Sequence, residues 1–371
     1  MAETLIPAAI PDVIPDAWTK LAYETLQQGK AAFGLAHKQL STRALKAAAV
    51  TGLVASPPET YTSSISPIAI QQIRGRYEAL IQKDWEDAEK GVYPKALLFD
   101  DLWEDFAKYY PALCLDIPQL WNRAHQKVGR DFAPDIDTAG LPNYYIQNFH
   151  HQTDGYLSDR SAQIYDLQVE ILFNGSADAM RRRVLAPLKA GLNAFPDEIS
   201  QNIKILDIAC GTGRTLRMIR GMLPKVKLYG LDLSEAYLRK ANQLLSQLPG
   251  ELPQLTQGAG EAIPYVDNHF HALTCVFLFH ELPAPIRQQV INEAFRVVKP
   301  GGTFVICDSV QLSDSPELEE AMKGFPETFH EPFYRNYTQD NLTKRLENAG
   351  FTEITESVFF MSKYWVTKKP Y

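Results

Sequence analysis

Ile205-Leu206-Asp207-Ile208-Ala209-Cys210-Gly211-Thr212-Gly213-Arg214-Thr215-Leu216 reads as a buried strand running into a glycine turn and then a helix. Glycines at 211 and 213 let a ligand approach the backbone, and free amides at the start of a helix favour an anionic group. A dinucleotide turn of the form G-x-G-x-x-G needs its third glycine where Leu216 stands, which weakens the reading as a dehydrogenase. The next apolar run ends Leu228-Tyr229-Gly230-Leu231-Asp232-Leu233-Ser234, setting a carboxylate at a strand end beyond the turn. A carboxylate there can accept both hydroxyls of a ribose; the competing role for Asp232 is a cap for the helix that begins near Ser234.

Outward from this stretch, short apolar runs alternate with helical segments in the manner of a doubly wound α/β fold. Strands are expected at 203–208, 227–231, 272–277 and 303–307, with a closing pair at 351–359 and 364–367. Residues 1–135 read as helical instead. Asp16 is placed to cap a helix bearing Trp18, Leu21, Ala22 and Leu26, and Ser66-Pro67 opens a second one bearing Ile70, Ile73, Tyr77, Leu80 and Ile81. Two further helices are expected near 100–110 and 117–128, bounded by Pro and Gly. Residues 136–160 form a connector dense in aromatics, His and amides, including Asn143-Tyr144-Tyr145-Ile146-Gln147-Asn148-Phe149-His150-His151-Gln152. The organisation expected is therefore a helical domain at 1–135, a connector or lid at 136–160 and an α/β domain at 161–371.

Four ordered segments resemble the class I S-adenosylmethionine-dependent methyltransferases. The run 207–213 matches the D-x-A/G-C-G-T-G form of their first motif, and Asp232 stands at their acidic ribose position. Gly258-Ala259-Gly260-Glu261-Ala262-Ile263-Pro264 and Phe295-Arg296-Val297-Val298-Lys299-Pro300-Gly301-Gly302 follow in the same order. Within that class the chain resembles the ubiquinone/menaquinone C-methyltransferase-like (type 11) branch. There Ile164-Tyr165-Asp166-Leu167, Asn174-Gly175 and Arg181-Arg182-Arg183 look like the branch's upstream segment. The resemblance covers about 161–371, and the helical extension carries no family signature.

The resemblance implies a Rossmann-like domain with a mostly parallel seven-stranded sheet and a C-terminal antiparallel strand, preceded by an all-α domain. It implies S-adenosyl-L-methionine as cofactor. Ala209, Gly211 and Gly213 would line the turn beside its aminoacyl end, Asp207 would orient that turn, and Asp232 would hold the ribose with Leu233 beside the adenine. Gly260 and Glu261 would edge the adenine, and Phe277 would form part of the pocket. The sequence departs from the family at Ala259 and His271, both of which are usually Asp, so adenine recognition must differ.

Methyl transfer from a sulfonium is an in-line displacement that requires alignment, exclusion of water and sometimes removal of a proton. His280, after the fourth strand, is the leading candidate for a base or polar acceptor contact, with backbone bonding at a helix start as its alternative role. His150 and His151 compete with it from the connector, where Tyr144, Tyr145 and Tyr156 offer flat walls with hydroxyl tips. Interdomain packing is the other use for that segment. The resemblance implies that the insertion carrying Tyr334, Arg335 and Tyr337 faces the acceptor, with packing against the sheet as the alternative, and Arg181-Arg182-Arg183 reads as a solvated helix face.

The chain of 371 residues has 37 Lys+Arg against 44 Asp+Glu, a formal charge of -7 that gives no counterion-release drive toward nucleic acid or anionic lipid. Its four cysteines, Cys114, Cys210, Cys275 and Cys307, stand apart without CxxC pairs, and His269 and His271 have no evident converging ligands, so no metal site is expected. Pro7, Pro11 and Pro15 break the apolar N-terminus and no run approaches spanning length, which suggests a cytoplasmic protein without membrane insertion. Oligomeric state has no sequence signal. The expected function is methyl transfer to a small-molecule acceptor in a pocket capped by the N-terminal helices, with no nucleic-acid partner. An NAD(P)-dependent oxidoreductase and a silent cofactor-binding protein are the alternatives.

Overall fold

A computed structural model describes residues 15–55 and 66–371; the proline-broken terminus through Pro11 lies outside the described residues. In chain order the helices are α1 (Asp16–Val50), α2 (Pro67–Glu89), α3 (Trp103–Gln126), α4 (Asp159–Leu172), α5 (Ala177–Arg182) and α6 (Leu185–Gly191). Six more follow: α7 (Arg214–Met222), α8 (Glu235–Leu245), α9 (Ala284–Val297), α10 (Glu319–Phe329), α11 (Tyr334–Tyr337) and α12 (Leu342–Ala349). The strands are β1 (Lys204–Ile208), β2 (Lys227–Asp232), β3 (Gln254–Gln257), β4 (Phe270–Val276), β5 (Val298–Ser309), β6 (Thr352–Phe359) and β7 (Ser362–Lys368).

The seven strands form one sheet in the order β3-β2-β1-β4-β5-β7-β6. Pairing is parallel from β3 through β5, and β7 runs antiparallel to both neighbours. β1 therefore lies between β2 and β4, and the chain reverses its direction of winding there. Loops leaving the carboxyl ends of β1, β2 and β4 consequently diverge and open a crevice, the place where open α/β sheets bind ligands. The glycine turn after β1 and Asp232 at the end of β2 both border it.

Helices cover both faces of the sheet. On one face Tyr23 of α1 and Leu80 and Trp85 of α2 join a continuous buried cluster with Leu188, Ile205, Leu216 and Val305. The N-terminal helices are thus packed into the same core as the strands. On the other face Leu206, Leu273 and Phe304 pack with Val290, Ile291 and Leu346 of α9 and α12.

Three local readings change. The two helices expected near 100–110 and 117–128 are one helix, α3, with Pro111 and Pro118 inside it; proline was read as punctuation where tertiary packing carries the helix through. The cap of α1 is Pro15, and Asp16 makes no capping bond. Arg181, Arg182 and Arg183 are buried rather than solvated. Each is neutralised by a carboxylate: Arg181 by Asp178, Arg182 by Asp84 of α2, and Arg183 by Asp87 of α2. The short, largely polar β3 was also missed, since its sequence Gln-Leu-Thr-Gln carries no apolar run.

Candidate active site

The first cavity, about 760 Å³ out to its open mouth, sits at the crevice and is lined by Ala209, Gly211, Asp232, Leu233, Gly260 and Glu261 on the sheet side. Tyr144, Tyr145, Phe149 and Tyr156 of the connector wall it on the other. Two non-glycine residues on its rim hold left-handed backbone, Ala209 with φ 56° after β1 and Phe277 with φ 58° after β4. Such conformations cost free energy and persist where packing enforces them, commonly beside functional sites.

Asp232 fixes the geometry of the turn. Its Oδ2 accepts the Gly211 N–H at 2.8 Å and its Oδ1 accepts the Ser234 N–H at 2.8 Å. Each oxygen keeps a lone pair for a further donor from the cavity. Burial pushes its pKa up to about 6, partly offset by the amides of Ser234 and Gly211. It borders the cavity and also bonds the start of α8, so its position is compatible with either role. Gly211, with φ 53°, would direct a Cβ into nearly open space, the nearest atom being Cδ1 of Tyr237 at 4.0 Å. The turn therefore leaves room for a ligand against its backbone.

A second cavity, about 900 Å³ out to its open mouth, adjoins the first, the two sharing Tyr165, Phe277 and Glu281. Its wall is largely apolar, with Val169 and Leu172 of α4, Phe173 just beyond it, and Leu318, Met322 and Phe325 from the segment leading into and along α10. Of residues 1–135, Ile73 of α2 lines it among the described residues. Its polar end carries His150, His280, Glu281, Ser309 and Tyr334. His280 Nδ1 lies 2.7 Å from Oδ1 of the fully buried Asp308. Burial alone would lower the His280 pKa, but the charge and hydrogen bond of Asp308, followed by Glu331 and Glu281, outweigh it and raise it to about 9. The imidazole is thus protonated at neutral pH. Glu281, half-buried beside these charges, is pushed up to about 7, loss of solvation being the main cause.

The structure gathers Ala209, Gly211, Asp232, Leu233, Gly260, Glu261, Phe277 and Tyr145 around the first cavity and sets His280 in the second. Three candidates stand elsewhere. Asp207 lines neither cavity, and its Oδ1 accepts the Thr274 hydroxyl of β4 at 2.6 Å. Gly213 lines neither cavity; a Cβ there would meet Ala241 and Leu245 at 3.1 Å, so its role is to let α8 pack closely. His151 is outside both cavities and packs against His330, with ring centroids 5.6 Å apart. Left-handed backbone at both His150 and His151 turns the former, rather than the latter, into the second cavity.

At the departures from the family pattern, His271 is buried, and its Nδ1 accepts the Lys204 N–H at 2.9 Å, a structural use. Tyr337 donates to the Ser309 carbonyl, and Tyr334 reaches the second cavity. Glu281, Asp308 and Glu331 escaped the sequence reading. The first and last directly follow His280 and His330, and the histidine-carboxylate pairs were the available signal.

Residues 205–302 match the family model described as a methyltransferase domain. The segment that builds the crevice is a class I S-adenosylmethionine-dependent methyltransferase domain. Curated relatives of this domain include the demethylmenaquinone methyltransferase of Thermotoga maritima, 33% identical over 152 residues, covering 41% of this chain and 59% of the relative. The corresponding enzyme of Lactiplantibacillus plantarum is 28% identical over 187 residues, covering 50% of this chain and 72% of the relative. The chain thus spans little more than half the length of the first of these. Among solved structures, a geranyl diphosphate methyltransferase covers 51% of this chain and 82% of its own, at 12% identity and a TM-score of 0.39, too loose a likeness to argue from.

Proposed function

We propose that the protein transfers a methyl group from S-adenosylmethionine to a small, largely apolar organic acceptor, with the cofactor in the first cavity and the acceptor in the second. The observation that carries this reading is the adjacency of the two: the glycine turn and Asp232 border one, an apolar chamber with a charged end forms the other, and Phe277 and Glu281 belong to both. Open space at Gly211 and the free lone pairs of Asp232 fit a nucleoside ligand.

When bound, the cofactor supplies an electrophilic methyl on a sulfonium. Asp232 would accept the ribose hydroxyls, and Leu233, Gly260 and Glu261 would flank the adenine. Tyr144 donates to Glu261 Oε1 at 2.5 Å, a bond that ties the connector over this end of the cavity. Tyr145 and Tyr156 would exclude water, which favours displacement between two aligned partners. His280, held protonated by Asp308, is assigned as a hydrogen-bond donor to an acceptor oxygen, and the Glu281 carboxylate lies 4.0 Å from it. The pocket is closed by α4, α10 and the connector, and the N-terminal helices contribute through α2. The quinone-methylating relatives are consistent with a ring-bearing apolar acceptor.

The test is incubation of the full chain with methyl-deuterated S-adenosylmethionine and a cellular metabolite extract. The expected result is a deuterated small molecule formed together with S-adenosylhomocysteine. Cofactor binding without any labelled product across apolar and polar extracts points instead to a silent binding protein, and tight NAD(P) binding with no response to S-adenosylhomocysteine points to an oxidoreductase.

A further inference from the structure

His150, Glu281 and Glu331 come from three separate parts of the chain: the connector, the loop after β4 and the segment between α10 and α11. One ligand atom from each lies within 4.8 Å of the others. Nε2 of His150 is 3.1 Å from Oε1 of Glu331 and 3.8 Å from Oε1 of Glu281. A tetrahedral ion bound by nitrogen and oxygen at about 2.1 Å spaces its donors about 3.4 Å apart, so the two distances bracket that value.

Glu331 is fully buried, yet neither of its carboxylate oxygens has a hydrogen-bond partner, and Nδ1 of His150 lacks one too. The short His150–Glu331 approach does not have hydrogen-bond geometry. Buried polar groups are almost always satisfied, and a buried carboxylate aimed at a histidine and a second carboxylate is satisfied most directly by a cation.

We propose that His150, Glu281 and Glu331 bind a divalent transition-series cation such as Zn²⁺ or Mn²⁺ at the junction of the two cavities. One imidazole and two carboxylates suit such ions better than thiolate-seeking or strictly oxygen-seeking ones. Three protein donors leave positions open, and His150 and Glu281 both border the second cavity. The Tyr156 hydroxyl, 2.5 Å from Oε1 of Glu281, orients that carboxylate. From this position the cation could hold an oxygen of the acceptor; that role rests on the methyl-transfer reading, whereas the binding site itself does not.

The experiment is calorimetric titration of chelator-stripped full-length protein with Zn²⁺ in the absence of cofactor, paired with the visible spectrum of the Co²⁺-loaded protein. The expected result is one equivalent bound, an affinity loss of tenfold or more in both Glu331→Gln and His150→Ala, and no change in His269→Ala. A Co²⁺ band stronger and shifted relative to the hexaaquo ion is expected for the unaltered protein, which keeps the test decisive if a variant does not fold. Absence of saturable binding by millimolar Zn²⁺, or affinity that survives both substitutions, overturns the proposal. Because no turnover is measured, failure here leaves the methyl-transfer reading standing, and failure of methyl transfer leaves this result standing.

Discussion

Replacing Asp232 with alanine removes the carboxylate that the first cavity offers to a ribose. In the structure each of its oxygens already accepts one backbone amide, Gly211 on one side and Ser234 on the other, so the carboxylate is held rigidly at the cavity wall. Two hydroxyl donors to a charged acceptor contribute about 1.5–3 kcal/mol each. Water refilling the space left by Asp232→Ala offsets part of that loss and rehydrates the freed amides, so the lower end, about 3 kcal/mol in total, is the working figure. At about 1.4 kcal/mol per tenfold, the Kd for S-adenosylhomocysteine should rise about 100-fold. Titration calorimetry of both proteins, with circular dichroism to establish that the variant is folded, measures the change directly. A folded Asp232→Ala protein whose Kd moves less than threefold would refute the assignment of this carboxylate to the nucleoside.

The same carboxylate gives a pH signature. With its pKa raised to about 6, Asp232 loses its charge as pH falls through 6, and S-adenosylhomocysteine affinity measured at pH 5 should be about tenfold weaker than the plateau above pH 7. For stability the sign is opposite: the fold favours the neutral acid, so this contribution is fully present below the ordinary Asp value and fades as pH rises through about 6. His280→Ala should slow turnover at least tenfold with cofactor affinity unchanged; equal single-turnover rates would remove His280 from the acceptor site. Asp84→Ala strands the buried Arg182 guanidinium and the hydroxyls of Tyr23 and Tyr93, which now lie 2.5 to 3.0 Å from that carboxylate. Chemical denaturation should show a loss of about 3–5 kcal/mol, and a loss under 1 kcal/mol would mean that this buried cluster does not anchor the N-terminal helices.

The sheet and the glycine-turn end of the crevice were legible because their signals are local. A strand, a glycine turn and a helix follow one another within 205–216, and Asp232 ends the next strand, so chain order alone brings them to adjacent strand ends. The polar end of the second cavity was not legible in this way. His150, Glu281, Asp308 and Glu331 come from segments far apart in sequence and meet only through the tertiary fold, and each by itself is an ordinary polar residue. The same limit explains the arginine run. Nothing local in Arg181-Arg182-Arg183 shows that α2 delivers Asp84 and Asp87 opposite it. Gly213 illustrates a subtler case: its left-handed backbone, φ 83°, and the close approach of Ala241 and Leu245 of α8 both call for glycine there. Pro111 and Pro118 misled in the other direction, since a helix stabilised by packing absorbed two residues that usually end one.

The most direct measurement is a crystal structure of the protein grown with S-adenosylhomocysteine. The account predicts the ribose hydroxyls on Asp232, the adenine between Leu233 and Gly260, and the homocysteine sulfur directed past Phe277 toward the second cavity. Density for the nucleoside at any other location, or none at all in this crevice at saturating ligand, would contradict it.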